Sequence, residues 1–270
     1  MELLDRIPVE FNPEEVLRNL QINTELAARL HVPDLFGSAT SMIHPKALYT
    51  TAYITNRTEQ VLDIEGITLS SRVLAKNLDR VQRIFPYIIT IGNALENEAS
   101  TCKNIMQGLC LERMGDLALS SARTYLEKCL VERYKLGRVS HMGPGQLDWP
   151  IAQQRELFSI FGDVETKIGV RLTDNFLMIP RKSISGIIFP TEVTFTSCQL
   201  CPRKDCISRQ VPYSETLRRS YGLEPVSKGR CFPRRRQKVC WFLGVVFSGM
   251  PFRKLGVISS KYDFGTREIS

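Results

Sequence analysis

Residues 138–150, RVSHMGPGQLDWP, and residues 168–189, IGVRLTDNFLMIPRKSISGIIF, decide how this chain reads. The first is a glycine- and proline-rich turn behind an arginine. The second predicts two paired strands, 170–180 and 183–195, around a Pro-Arg-Lys turn and ending in Ser-x-Ser-Gly. Between them, Pro150 to Phe161 predicts a helix with Gln153, Gln154, Arg155 and Glu156 on its wet side. Glycine admits close approach to the backbone, and a guanidinium grips a carboxylate through two parallel hydrogen bonds. The pair of segments therefore offers a cation and open backbone groups to a small carboxylated ligand.

Working outward, Asn12-Pro13-Glu14-Glu15 predicts a helix start: a capping Asn, Pro in the first turn, and acids at the positive pole. That helix runs to about Gln21, and another covers Glu25 to Leu30. Ala47 to Thr55, rich in Thr, Tyr and Ile, predicts a strand, with a second at Ile64 to Leu69. Leu69 to Phe85 has the apolar spacing of an amphipathic helix, and Tyr87 to Ile91 is a short strand. Glu96 to Leu136 is the longest helical signal, weakened by Gly108 and Gly115 and so readable as two helices. Val211 to Tyr221 predicts one last short helix. The expected class is α+β: a mainly antiparallel sheet from 47–55, 86–91 and 170–195 with long helices packed on it. The expected division is a domain over 1–195, a cysteine-bearing extension over 196–232 and a basic tail over 233–270.

With 270 residues, 43% of them hydrophobic and 24% charged, the chain buries a core without disulfide staples. Its amino terminus is acidic and lacks the apolar run of a secretory signal. The apolar window Trp241 to Phe247 falls far short of a membrane helix. A soluble, cytoplasmic protein without a membrane partner is expected. The net charge of +8 is concentrated late: residues 203–254 hold 13 Lys/Arg against 3 Asp/Glu. The body is near neutral and lacks an interleaved aromatic stripe, which disfavours nucleic acid as a partner.

Of eight cysteines, Cys102, Cys110 and Cys129 lie in helical sequence and read as small core residues. Cys198-x-x-Cys201 places two thiolates within reach of one metal, Cys206 adds a third, and Cys231 or Cys240 a fourth. Thiolates favour zinc or an iron–sulfur cluster. The readings are a structural zinc knot, an iron–sulfur electron donor, or no metal at all. His31, His44 and His141 share no motif, and His141 alone falls inside the turn segment.

Taken whole, the stretch resembles the reactivation (S-adenosylmethionine-binding) domain of cobalamin-dependent methionine synthase. The matching residues are Arg138, Pro144-Gly145, Ile168-Gly169, Leu172-Thr173, Phe176, Met178, Pro180, Ser183-Ile184-Ser185-Gly186 and Phe189. Asp148-Trp149-Pro150 and the downstream cysteines resemble free-standing relatives of that domain. Three extra residues separate Arg138 from Pro144-Gly145, and Gln146 stands where the family has Tyr. The resemblance implies that the chain binds S-adenosylmethionine and assists reductive methylation of a corrinoid carried by a partner protein. It would thus be part of a methionine synthase or corrinoid methyltransferase activity rather than a complete enzyme. It implies that Arg138 holds the methionine carboxylate and the backbone of Pro144, Gly145 and Gln146 the amino group or adenine. Ser183 and Ser185 then lie by the ligand cleft, with Gly186 allowing close approach. Catalysis is positioning, the corrinoid carries the hard chemistry, and an electron donor protein is a further partner. The alternative is an electron-transfer or scaffold protein of a corrinoid methyltransferase system that does not bind S-adenosylmethionine.

Overall fold

Strand β6 (Arg83–Thr90) is buried along nearly its whole length, and the architecture follows from that. Alternate side chains of a strand face opposite sides. Phe85, Tyr87 and Ile89 join one apolar cluster, while Ile84 and Ile88 join two others on the opposite side. A sheet apolar on both faces must be covered twice. The computed structural model, which describes residues 1–10, 12–204, 206 and 209–224, shows how.

The chain runs β1 (Glu2–Leu4), α1 (Pro13–Leu20), α2 (Thr24–Arg29), α3 (Val32–Met42), β2 (Lys46–Tyr49), β3 (Ala52–Arg57), β4 (Val61–Ile64), β5 (Ile67–Ser70), α4 (Arg72–Asn77) and β6. It continues with α5 (Ala94–Thr101), α6 (Ile105–Tyr134), β7 (Arg138–Met142), α7 (Gln154–Ser159), α8 (Val164–Ile168), β8 (Arg171–Leu172), β9 (Met178–Ile179), β10 (Ser183–Thr191) and α9 (Glu215–Ser220). Among the described residues eight strands form one antiparallel sheet in the order β1-β2-β6-β3-β4-β5, with β10 between β6 and β7. The expected α+β class with a curled antiparallel sheet is what the chain adopts. Helices α1, α2, α3, α5 and α6 cover one face. The β4–β5 hairpin, α4, Trp149 and α7 close the other, joined there by α8.

The helix over 96–136 is indeed two helices, but the break falls at Cys102–Asn104 rather than at a glycine. The Asn104 side chain accepts from the backbone N–H groups of Met106 and Gln107 and starts α6. Gly108 and Gly115 stay helical because neighbours occupy the space of a side chain. A Cβ on Gly108 would lie 3.1 Å from the Ala99 carbonyl oxygen, and one on Gly115 would lie 3.1 Å from Lys182 Cε. At about 1.5 Å per residue, the 30 residues of α6 span about 45 Å. Helices flank it on one side and the sheet on the other, and its apolar residues are buried against both.

Four element expectations change. The single strand expected over 47–55 is two strands, β2 and β3, divided at Thr50 and Thr51. The expected strand at 64–69 is the hairpin of β4 and β5, which turns at Glu65 and Gly66, both at positive φ, the signature of a two-residue hairpin loop. The helix expected over 69–85 ends at Asn77. There the Arg57 guanidinium takes the carbonyls of Leu78 (2.7 Å), Asp79 and Val81 (2.9 Å), and the chain turns into β6. Segments 170–180 and 183–195 do not pair with each other. Thr173 and Leu177 close a tight turn, with Phe176 at positive φ, and β8 pairs β9 off the main sheet. Both edges of β10 are already taken by β6 and β7.

β7 and β10 meet through two glycines. A Cβ on Gly143 would sit 2.5 Å from the Ser185 carbonyl oxygen, and one on Gly186 would sit 2.5 Å from the Met142 carbonyl oxygen. No side-chain rotation relieves a clash with backbone. Beyond the turn, Asp148 accepts from Ser71 Oγ (2.6 Å) and from the Arg72 backbone N–H (2.8 Å), tying the turn to the start of α4. Trp149 is buried among Met142, Leu157 and Ile187. The Asp-Trp-Pro sequence therefore serves as cap, core anchor and chain redirection. After β10 the chain stays on the body, where Phe195 and Leu200 are buried and Leu217, Tyr221 and Leu223 pack beside them.

Gly186→Ala should lower unfolding stability by about 2 kcal/mol or more, the scale of overpacking a filled site, read from urea denaturation. A wild-type midpoint would show that the two strands separate freely. Asp148→Ala should cost about 1 kcal/mol, the worth of a helix-start acceptor, in the same assay; an unchanged midpoint would remove its capping role.

Candidate functional site

The expected site residues occupy two places. Arg138 opens β7 opposite Thr191 in register, whereas Met142, just before the turn, pairs with Ile187. At about 3.3 Å per residue, roughly 20 Å of chain separates Arg138 from Pro144. Arg138 is exposed and donates through Nη1 to the Glu192 carbonyl oxygen at 3.4 Å. It borders a groove of about 790 Å³ that neither the turn nor Ser183, Ser185 and Gly186 line. Arg138 thus stands at the start of β7 and the turn just beyond its end.

The turn itself is tightly bonded. Gly145 N–H donates to the Trp149 carbonyl (2.8 Å), Gln146 N–H to that of Gly143 (3.2 Å), and Trp149 N–H to that of Gln146 (3.0 Å). Gln146 Oε1 accepts from Ser197 Oγ at 2.8 Å. Pro144 is buried, while Gly145 and Gln146 are partly exposed. Ser183 and Ser185 share one sheet face, as alternation requires, yet differ in state. Ser183 Oγ donates to Thr90 Oγ1 at 2.9 Å, whereas Ser185 Oγ is buried with no partner. Trp149 Nε1 is a second buried donor without an acceptor.

Sequence reasoning passed over the charged cluster above the Gly143–Gly186 contact. Arg123 and Glu127, one helical turn apart on α6, are joined Nη1 to Oε1 at 2.5 Å. His141 reaches them from β7, its Nδ1 lying 2.9 Å from Arg123 Nη1 and 3.0 Å from Glu127 Oε1. A bare Nδ1 accepts from the guanidinium, and a protonated one donates to the carboxylate. Arg123 is only 7% exposed and its Nε has no partner. Tyr87, opposite Gly186 in register, feels both charges, and burial pushes its phenol above the ordinary range. Burial drives the His141 pKa below the usual imidazole value, with the Arg123 charge adding to the effect and Glu127 opposing it. Burial also works to raise Glu127, but the hydrogen bond with His141 and the Arg123 charge hold it below the usual carboxylate range. An Arg and a Glu spaced i, i+4 on the long helix, together with a histidine in the turn segment, were the legible signals.

A second charged set, Glu112 and Asp116 with Lys182 and Arg181, is structural. Lys182 is 2% exposed and lies 2.8 Å from Glu112 and 2.6 Å from Asp116, while Arg181 bonds Glu96 at 2.5 Å. It fastens the start of β10 to α5 and α6.

Cys198, Cys201 and Cys206 carry free, partly buried thiols. Among the described residues no three His, Cys, Asp or Glu side chains converge to hold a metal ion; Cys231 and Cys240 lie outside the described residues. The loop folds instead around Arg209, which donates to the carbonyls of Cys198 (3.0 Å), Cys201 (3.3 Å) and Arg203. Cys110 is buried, as read, while Cys102 and Cys129 are partly exposed. Among the described residues no helix is long and apolar enough to cross a membrane.

Residues 122–199 match the family described as vitamin B12 dependent methionine synthase, activation domain. This match carries the likeness read from the sequence. It begins at Ala122 and so takes in Arg123, Glu127, His141, the turn and β10. No curated protein matches the chain. Among solved structures it is similar to a crystal structure of the MetH reactivation domain bound to AdoHcy. That similarity has 16% identity and a TM-score of 0.51, and covers 74% of this chain and 82% of the other. At that identity the likeness speaks to the fold.

Acidification should destabilise the protein in two stages. Between about pH 7 and 5, the unfolded chain takes up a proton that folded His141 refuses, and stability falls with pH. Below about pH 4.5, the contribution of Glu127 is lost as its carboxylate is protonated. Urea midpoints across pH 4 to 8 should show His141→Gln flattening the upper stage only. An unchanged profile in that variant would exclude His141 as the source.

Proposed function

We propose that this chain, which carries the activation-domain signature over residues 122–199, binds S-adenosylmethionine beside the Gly143–Gln146 turn. It presents that molecule to a corrinoid held on a partner protein and assists the corrinoid's reductive methylation. The observation that carries this reading is the Arg123–Glu127–His141 cluster, which lies within the matched segment. An amino-acid head group is a zwitterion. Arg123 offers a guanidinium at the cluster, the partner a carboxylate needs. Glu127 stays ionised beside it, the partner an ammonium needs. β7 pairs only with β10 among the described residues, and His141 and Glu127 are 27% and 19% exposed. The cluster is therefore reached from that edge.

Bound S-adenosylmethionine supplies the methyl group. The chain's own task is to hold and aim. Gln146, fixed through its oxygen by Ser197, keeps its amide nitrogen for hydrogen bonding. Ser185 also has an uncommitted hydroxyl, but it faces the other side of the sheet from the cluster, with Ile187 and Phe189. Gly143 and Gly186 keep the turn against β10. The residues fit a positioning site, and no nucleophile or general acid is required of them.

Calorimetry with S-adenosylmethionine tests the reading. The wild type should bind. Glu127→Gln should weaken binding about tenfold, since a hydrogen bond to a charged group contributes about 1.5–3 kcal/mol. Arg138→Ala should stay within about twofold. Absence of heat with the wild type would sink the proposal. If a corrinoid protein still bound tightly, the scaffold reading would replace it. Loss in Arg138→Ala with Glu127→Gln unchanged would move the head group to Arg138.

A further inference from the structure

The segment after β10 carries thiols that the proposed function does not use. Three successive backbone hydrogen bonds wind it into a 3₁₀ turn: Gln199 N–H to Thr196 (2.9 Å), Leu200 N–H to Ser197 (3.2 Å) and Cys201 N–H to Cys198 (3.3 Å). In that geometry side chains at i and i+3 stand one above the other, so Cys198 and Cys201 share one side of the turn. Three residues of such a turn rise about 6 Å, within the Cα separation of about 4.4–6.8 Å that a disulfide spans. Both thiols are free and half-buried, unlike the sealed Cys110. The backbone around them is held. Leu200 is buried in the core, and Arg209 donates to the carbonyls of Cys198 (3.0 Å) and Cys201 (3.3 Å). We infer that Cys198 and Cys201 form a reversible disulfide whose closure is transmitted to the Gly143–Gln146 turn.

The oxidant is a small disulfide of the glutathione class. One cysteine sulfur, as thiolate, attacks a sulfur of that molecule; its S–S bond breaks, one glutathione thiolate leaves and a mixed disulfide forms. The second cysteine sulfur then displaces the other glutathione. Two protein thiols become one disulfide, and two electrons and two protons leave as two reduced glutathione molecules. The link to the turn is Ser197, the residue before Cys198, whose Oγ donates to Gln146 Oε1 at 2.8 Å. Closing the bond draws the two Cβ atoms to about 3.8 Å, which tightens the turn at Cys198 and shifts Ser197 with it. What this means for ligand binding rests on the S-adenosylmethionine reading; the sulfur chemistry does not.

Mass spectrometry tests both parts. Trypsin cuts after Lys182 and Arg203, leaving Cys198 and Cys201 as the only cysteines of peptide 183–203, with Cys206 in peptide 205–209. After the full chain is equilibrated with oxidised glutathione and alkylated, peptide 183–203 should be unalkylated and two hydrogens lighter. Dithiothreitol should restore two alkylatable thiols. Hydrogen exchange at Gly145, Gln146 and Trp149, which needs no ligand, should be at least fivefold faster in the oxidised chain than in the reduced one. Ser197→Ala should exchange at the fast rate in both states. Two thiols that stay alkylatable, pairing of either with Cys206, or one zinc or iron per chain shielding them overturns the disulfide. Equal exchange in both states of the wild type overturns its transmission to the turn. Failure of S-adenosylmethionine to bind alters neither readout, so the two ideas fail separately.

Discussion

The contact on which the rest depends is the meeting of two backbones without side chains between them. Gly143 and Gly186 let β7 lie against β10 where any Cβ would strike a carbonyl oxygen 2.5 Å away. That closeness sets where the turn leaves the sheet and where Asp148 and Trp149 arrive. It also brings His141 beneath Arg123 and Glu127 of the long helix. A larger residue at either glycine would displace the strand that carries the histidine, and with it every distance in the cluster.

Charge is treated in two ways at two levels of the same helix. Near its start, Glu112 and Asp116 surround Lys182, and the ions compensate one another at short range, as buried charges must. Near its middle, Arg123, Glu127 and His141 leave one guanidinium nitrogen without an acceptor and place one imidazole nitrogen between two bidders. The first arrangement holds the fold, with Lys182 only 2% exposed. The second is partly open at His141 and Glu127 and lies on the segment that matches the activation-domain family, which makes it the better candidate for holding a zwitterion.

The class of fold was legible because its signals are periodic: the capped helix at Asn12, the apolar strand at Tyr87 to Ile91 and the long helical run all lie where the pattern puts them. Boundaries were legible only where a local residue sets them. The end of α4 was not, because the group that stops it, Arg57, is distant in sequence. Nor was the pairing of β10, since a strand's pattern does not say which neighbours saturate its edges. For the site, the glycine–proline turn and the Ser-x-Ser-Gly strand could be read, and they do come together. Arg138 could be read as a cation, but not as one at the start of β7 with the turn beyond the strand's other end. Arg123 was hidden among the other charged residues of the long helix, where an arginine reads as a surface residue until packing shows it buried.

Asp148 has a mechanical consequence. Its backbone belongs to the turn, its carboxylate holds the Ser71 hydroxyl and the first backbone N–H of α4, and α4 ends in Lys76 and Asn77 at the groove wall. One side chain is therefore the rivet between two concavities. Shifting the bend by an ångström strips the short helix of its acceptor, so the two basins share a single hinge pin rather than moving as independent parts.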